Sequence, residues 1–437
     1  MTDSSLKSII PDSISGMIFA LEGLKNSVVL LNGPMGCRFY HSTTSQFRVV
    51  RPELKGHADA EGRAPAVDHS VFSDWFFRQE RVPCTFLDGY DYVYGTKDKV
   101  CSALDYMAAN VDFDVLAIVN SPGAALIGDD IERIARERLA GRRTVVLESS
   151  GYSDSFDEGC SLACLALLKQ VGMPLWEERR KKAGAAGAES GSGQQTKPAA
   201  GDSEFDRRSV NLLGLNIWQR YVTGDIEELR RLFSLCGIDV NTVLLADCSL
   251  EDLARIPEAD LNVVLYPETG LECAAYLKET LGTPYYVCDA LPIGFSAAEK
   301  MFADICGMLG TSDEELRTES EKARALAWVR IGEISRSSGK PRGVRYYLDC
   351  GPSLEKAYSA FLTDYLGMRR STAEDAELVF SNANVISELM LKNKTFCGIE
   401  ISLPGMGYVD LVPKTHMGIK GALFLTEQVL NGLMSRI

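Results

Sequence analysis

The chain has 437 residues, 46% of them apolar and 24% charged, with 60 acidic against 46 basic side chains and a formal net charge of −14. A chain this long can bury a large interior and is expected to divide into about two to four domains of ordinary size. The acid excess and the absence of any long Lys/Arg stripe exclude a nucleic-acid partner, whose phosphates require clustered cations.

The opening Met1-Thr2-Asp3-Ser4-Ser5-Leu6-Lys7 has neither the charged nor the apolar region of a secretory leader, and no uninterrupted apolar run approaches a membrane span. A cytoplasmic protein without a membrane partner is therefore expected. Its 12 cysteines are then core thiols, metal ligands or reactive groups rather than a disulfide framework. With no Cys-x-x-Cys pair and 4 histidines, a metal site would be assembled from distant segments or shared between chains.

In chain order, residues 27–31 read as a buried parallel strand stopped by Gly33-Pro34-Met35-Gly36 before Cys37. At a helix start the Cys37 thiol faces unpaired N–H groups and the positive end of the dipole, which favour the thiolate that ligates metal or attacks. A small buried thiol beside a turn is the alternative. Strands at 115–120 and 144–148 flank a helix over 129–138 whose Asp129, Asp130 and Glu132 suit its N-terminus. Ser121 ends the second strand as Cys37 follows the first, so the two strand ends can converge on one crevice. As a single residue, Ser121 reads as a turn or capping hydroxyl.

A Gly-, Ala-, Ser- and Gln-rich stretch over 181–202 lacks the apolar content to fold and reads as a flexible loop or linker. A second α/β unit follows, with strands at 210–214, 242–245, 261–265 and 285–287 and helices at 226–236 and 270–281. After a long charged helix over 313–337, a third unit starts with a strand at Arg345-Tyr346-Tyr347-Leu348. It continues with a helix over 353–365, a strand at 378–380 and a closing helix over 418–433. The expected organisation is a first α/β domain over 1–178 carrying the Cys37 turn, a linker over 179–208, and further α/β domains over 209–311 and 312–437. The fold class is α/β, three doubly wound units with parallel sheets and ligand crevices at the strand C-termini.

Three segments carry a family resemblance. Gly33-Pro34-Met35-Gly36-Cys37, Asp91-Tyr92-Val93-Tyr94-Gly95-Thr96-Lys97 and Ser121-Pro122-Gly123-Ala124-Ala125-Leu126-Ile127-Gly128-Asp129-Asp130 stand in an order and spacing that resemble the nitrogenase component 1 family. In that family they are a Gly-Pro-x-Gly-Cys cluster turn, a Val-Phe-Gly-Gly segment and a Cys-Pro-x-x-Leu-Ile-Gly-Asp-Asp motif. The resemblance implies three Rossmann-like domains, an iron–sulfur cluster at a subunit interface, a second subunit or a second copy of the chain, and an ATP-dependent iron protein as electron donor. It also implies that Gly33 and Gly36 shape the turn beside the cluster.

The departures narrow what is implied. The family's first cluster cysteine is absent from Ile10-Pro11-Asp12-Ser13, and its third is replaced by Ser121. The cysteine that anchors the nitrogenase cofactor falls near Tyr266 and the cofactor histidine near Met417, which argues against an iron–molybdenum-type cofactor and against dinitrogen as substrate. The chain resembles the single-ligand subunit of related two-subunit reductases, with Cys37 as its contribution to a [4Fe–4S] cluster and Ser121 as a ligand or hydrogen-bond donor. A homodimer would pair two Cys37 with two copies of another cysteine, for which Cys84 is the candidate. An ordinary loop thiol is the alternative for Cys84.

Cys160 and Cys164 share a helix face and read as core, as do Cys236, Cys248, Cys273, Cys288, Cys306, Cys350 and Cys397. His416 stands one residue from the family's cofactor histidine position and is a candidate proton donor. His41 is a candidate partner of the cluster from outside its ligand set, and His57 and His69 read as exposed. The function expected is a subunit of a nitrogenase-like reductase. The alternatives are a maturation scaffold holding a metal cluster or tetrapyrrole, or a binding protein that has lost its cluster.

Overall fold

The computed structural model describes residues 11–38, 82–148, 155–189, 207–392, 395–402 and 410–434. The first unit contains α1 (Ser13–Glu22), β1 (Ser27–Asn32), α2 (Lys97–Asn110), β2 (Val115–Asn120), α3 (Ile131–Arg138), β3 (Arg143–Glu148) and α4 (Phe156–Leu167). Its strands form a parallel sheet in the order β1-β2-β3. Every residue of β1 and β2 is buried, which is why both read as continuous apolar runs rather than alternating ones.

Helices α2 and α3 cover one face of this sheet through Leu104, Ile131 and Ile134, and α1 and α4 cover the other. All of α1 is buried, so it has no polar face and left no amphipathic signal to read. A Cβ on Gly16 would overlap the Phe156 carbonyl and one on Gly159 the Ser13 carbonyl; glycine at both positions lets the two helices touch backbone to backbone.

Helix α4 runs through a π turn, Leu168–Gly172, into α5 (Met173–Glu189). The expected linker from 179 is thus helical as far as 189, because the Glu-, Arg-, Lys- and Ala-rich start of that stretch is made of good helix formers. Contrary to expectation, Phe156–Lys182 is long and apolar enough to cross a bilayer, yet 61% of its apolar window is buried in the protein, as in a core helix.

The second unit contains β4 (Arg208–Leu213), α6 (Val222–Leu235), β5 (Ile238–Val243), α7 (Leu250–Arg255), β6 (Leu261–Val264), α8 (Pro267–Leu281) and β7 (Tyr285–Val287), all strands parallel in the order β5-β4-β6-β7. Strand β5 begins earlier than its apolar end suggests, because Gly237 at φ 69° turns the chain straight out of α6. Helices α9 (Phe295–Leu309) and α10 (Glu314–Ser338) lead to the third unit. That unit contains β8 (Arg345–Leu348), α11 (Pro352–Ala360), β9 (Arg369–Arg370), β10 (Leu378–Asn382), α12 (Ala383–Leu391), β11 (Cys397–Ser402) and α13 (Gly418–Met434), with parallel order β11-β10-β8-β9. The helix after β8 gives way to a π turn at Phe361–Tyr365.

The units are packed together rather than strung out. Ile419, Leu425 and Val429 of α13 share a core with Ile226, Leu229 and Phe233 of α6. Cys164 of α4 and Cys273 and Leu277 of α8 share another, joining the first unit to the second. The central cavity is consequently lined from all three units, at the ends of strands and the starts of helices.

Candidate functional site

Two places in the described residues have the makings of a site. The first is the edge of the first sheet. The chain leaves β1 through Gly33 and Pro34 into a single 3-10 turn, Met35–Arg38, that holds Cys37. A Cβ on Gly33 would lie 2.8 Å from both Cβ and Oγ of Ser121, so the two strand ends converge as the motifs predict. The Ser121 hydroxyl accepts the Ala124 N–H at 3.4 Å, capping the short turn that follows β2. Buried Asn32 and Asn120 tie the same strand ends side chain to side chain at 2.8 Å.

The environment of Cys37 differs from the expected one. One 3-10 turn supplies no helix dipole to stabilise a thiolate. Burial, with smaller contributions from Asp12 and Cys84, instead pushes the Cys37 thiol up to about 11. Cys37 is half-buried, and a Cβ on exposed Gly36 would meet nothing within 4 Å.

Cys84 lies alongside β1 in a segment hydrogen-bonded to Leu31 and Gly33. It is fully buried, its Sγ donating to the Gly33 carbonyl at 3.1 Å and accepting the Phe86 N–H at 3.4 Å. Cys84 is thus enclosed, whereas Cys37 keeps part of its surface open. Among the described residues no three Cys, His, Asp or Glu side chains are grouped to hold a metal. A thiol that stays partly open, as Cys37 does, has the chemistry to ligate a metal once deprotonated.

Around this edge the protein exposes aromatic surface. Tyr90 is 68% exposed, Tyr94 72% and Leu126 89%, and the rings of Tyr90 and Tyr94 lie 4.4 Å apart. The second and third resemblance segments are joined by Asp129, whose Oδ2 accepts the Thr96 N–H at 2.6 Å and its hydroxyl at 2.9 Å. Asp130 caps α3 through the Arg133 N–H. The paired aspartates of the motif thus hold the scaffold together.

The second place is the central cavity, about 200 Å³, walled by Asp157, Trp218, Arg220, Tyr266, Glu268, Asp349, Cys350 and His416 among others. Cys350 is therefore a cavity residue and not the core thiol expected from its apolar neighbours. Met417 is fully buried in the core, and His416 takes the cavity wall in its place because Asp225 fixes the turn that carries both.

Asp225, fully buried on α6, accepts the Thr415 hydroxyl at 2.7 Å and the His416 and Met417 N–H groups at 3.0 and 3.3 Å. His416 Nδ1 lies 3.0 Å from the Tyr358 hydroxyl. Arg220 reaches Glu400 at 3.2 Å and Asp410 at 2.7 Å. The Tyr266 hydroxyl is buried without a hydrogen-bond partner among the described residues, and burial, then Asp225, Glu268 and Cys350, push its titration upward.

Tyr266 and His416 thus meet in one cavity, while Gly33 and Ser121 meet at the sheet edge, with Gly36 and Cys37 in the turn that follows. His41, His57 and His69 lie outside the described residues. Asp157, Arg220, Glu268 and Asp349 escaped the sequence reading because each sits alone in sequence; the one available signal was the position of three of them just past a strand or at a helix start. The remaining cysteines read as core are buried, except half-buried Cys397.

The family model for nitrogenase component 1 type oxidoreductases matches residues 13–374. A light-independent protochlorophyllide reductase subunit of Synechococcus sp. (strain CC9902) is 34% identical over 131 residues, 30% of this chain and 24% of that protein. Nitrogenase iron-molybdenum cofactor biosynthesis protein NifE of Methanosarcina barkeri is 24% identical over 333 residues, 75% of this chain and 61% of that protein. Each match spans less than two thirds of the relative's own length. The solved structure of nitrogenase Cp1 at pH 6.5 superposes with a TM-score of 0.67 at 14% identity, over 100% of this chain and 95% of that one, which establishes a shared fold. With three parallel sheets around one cavity and a matching model over most of its length, the chain belongs to the nitrogenase component 1 type oxidoreductase family.

Proposed function

We propose that this chain is one subunit of a nitrogenase-like two-component reductase. Cys37 supplies one thiolate to an iron–sulfur cluster of the [4Fe–4S] type shared with a second subunit or a second copy of the chain. An ATP-dependent iron protein supplies the electrons, and a substrate other than dinitrogen is reduced in the central cavity. When bound, such a cluster relays single electrons at a potential set by its ligands, burial and hydrogen bonds. This chain's own part is to hold Cys37 at the sheet edge, with Gly33 and Ser121 in contact behind it. A metal bound there would take the thiol as thiolate despite its raised titration.

The observation that carries the reading is the close approach of Gly33 and Ser121 at one sheet edge, with the half-buried Cys37 thiol in the turn that follows Gly33 and Tyr90, Tyr94 and Leu126 exposed in the segments that carry the family resemblance or flank them. That surface suits a covering partner, as aromatic side chains do. The relationship to NifE favours one other reading, a scaffold that holds a metal group without turnover.

The test is anaerobic purification of the chain co-expressed with its neighbouring subunit, followed by iron and sulfide assay. Iron in the wild type that falls to background in Cys37→Ala is expected; full iron in that variant would overturn the assignment. Iron without ATP-dependent electron uptake would select the scaffold.

A further inference from the structure

We propose that the central cavity takes a small organic cation, an amine, guanidine or sulfonium, and not an anion or a macrocycle. The inference rests on the reductase reading only in calling that ligand the substrate.

The argument begins with charge. Three carboxylates reach the wall from separate elements: Asp157 at the start of α4, Glu268 at the start of α8, and Asp349 just past β8. Arg220 is the lining cation, but Glu400 and Asp410, nearly buried beside it, already claim its charge. His416 is held through Nδ1, 3.0 Å from the Tyr358 hydroxyl, and its Nε2, 3.1 Å from Asp225 Oδ2 without a hydrogen bond between them, faces a further carboxylate. Glu268 accepts a neutral hydroxyl, Ser353 Oγ, at 2.6 Å.

Asp157 and Glu268 repel each other across the wall, and burial together with Glu268 and Glu158 pushes Asp157 up to about 6. Carboxylates left facing one another at low dielectric cost stability unless a bound cation offsets them. An anion entering here would lose its hydration against three like charges.

The second observation is independent of charge. Tyr266 is 4% exposed and its hydroxyl has no hydrogen-bond partner among the described residues. Buried hydroxyls are paired as a rule, so this one is left for a ligand. Its lone pairs can accept from an N–H donor, as the carboxylates do, and its O–H can donate to a second polar group of the same ligand. Size completes the assignment: about 200 Å³ falls below the roughly 300–1,000 Å³ of drug-sized sites and far short of a tetrapyrrole.

The test uses the full chain at pH 7.5 and constant ionic strength, with thermal unfolding and tryptophan fluorescence as readouts, since Trp218 is in the wall. The probes are the chlorides of methylguanidinium, putrescine and trimethylsulfonium, the sodium salts of acetate and succinate, and neutral 1,4-butanediol. At least one cation is expected to raise the midpoint saturably and perturb the fluorescence. Both responses should vanish in Asp157→Asn/Glu268→Gln, a variant expected to melt no lower than wild type.

An equal or larger shift from succinate, cation shifts that persist in the double variant, or no cation shift at all would each overturn the proposal. In Cys37→Ala the cation response is expected to remain whatever happens to iron, so failure of the cluster reading and failure of this one are separate results.

Discussion

Asp225 holds His416 by its backbone: Oδ1 accepts the His416 N–H at 3.0 Å, while Oδ2 lies 3.1 Å from Nε2 without a hydrogen bond to it. Both residues are buried, and they belong to segments 191 positions apart. The pair therefore ties the second unit to the turn that feeds α13, and it fixes the one described histidine in the cavity wall.

Removing that carboxylate leaves several buried donors without an acceptor. Asp225→Ala is expected to cost about 3–5 kcal/mol, the range for breaking a buried charged network. Asp225→Asn, which keeps an acceptor oxygen, is expected to cost clearly less. Calorimetric unfolding at pH 7 checks this; equal midpoints for Asp225→Ala and wild type would refute it.

At the sheet edge, Gly33 is held to glycine by Ser121. Gly33→Ala places a methyl 2.8 Å from Ser121 Cβ and Oγ, an overpacking expected to cost about 1–3 kcal/mol. Ser121→Gly removes both atoms, so the double variant should recover part of that loss. A double-mutant cycle by denaturant unfolding measures the coupling, and strict additivity would show that the two strand ends do not touch in solution.

Asp157 makes stability depend on pH with a definite sign. Its folded value of about 6 lies above the ordinary 3.8, so the native state holds the proton more tightly than the unfolded state. Its penalty is absent below about pH 4, grows as pH rises toward 6, and stays at its full size above that. Asp157→Asn is therefore expected to stabilise the protein by about 1–2 kcal/mol at pH 7.5, a figure reduced for the residue's partial exposure, and to change little at pH 4. Melting curves of both proteins across that range decide it; a gain that shrinks as pH rises would contradict the assignment.

The exposed aromatic surface near Cys37 should act in association and not in folding. Tyr94 is 72% exposed, so Tyr94→Ala is expected to leave the midpoint unchanged within about 0.5 kcal/mol. If Tyr94 anchors the partner, association weakens by about 2 kcal/mol, or roughly 30-fold. Sedimentation of the co-purified complex against the variant reads this directly.

The strands and most helices were legible because their periodicity is local. Val115–Asn120 is a nearly unbroken apolar run, and Pro267–Leu281 ends in Gly282 at φ 76°, so strand and helix stop announce themselves. Helix α1 was not legible, since complete burial erases the polar face that marks a helix, and its partner α4 lies more than a hundred residues on. The Cys37 turn was readable as a motif, but its thiol's environment was not: the sequence implies a helix dipole where the chain makes one 3-10 turn. Cys350 shows the same limit, since it has no neighbour in sequence that points to the cavity, whereas His416 was singled out by its place one residue before Met417.

Sequence alone determined the α/β class, the three sheets, the Gly-Pro-Met-Gly-Cys turn and the family, because strand hydrophobicity, glycine turns and ordered motifs are all short-range properties of the chain. Tertiary structure decided which residues share a site. Asp157, Tyr266, Glu268, Asp349 and His416 are brought together only when the three units pack around one cavity, and charge balance in a cavity is a property of that packing. The orphaned Tyr266 hydroxyl and the engaged Arg220 follow from what lies within hydrogen-bonding distance, which no spacing along the chain encodes.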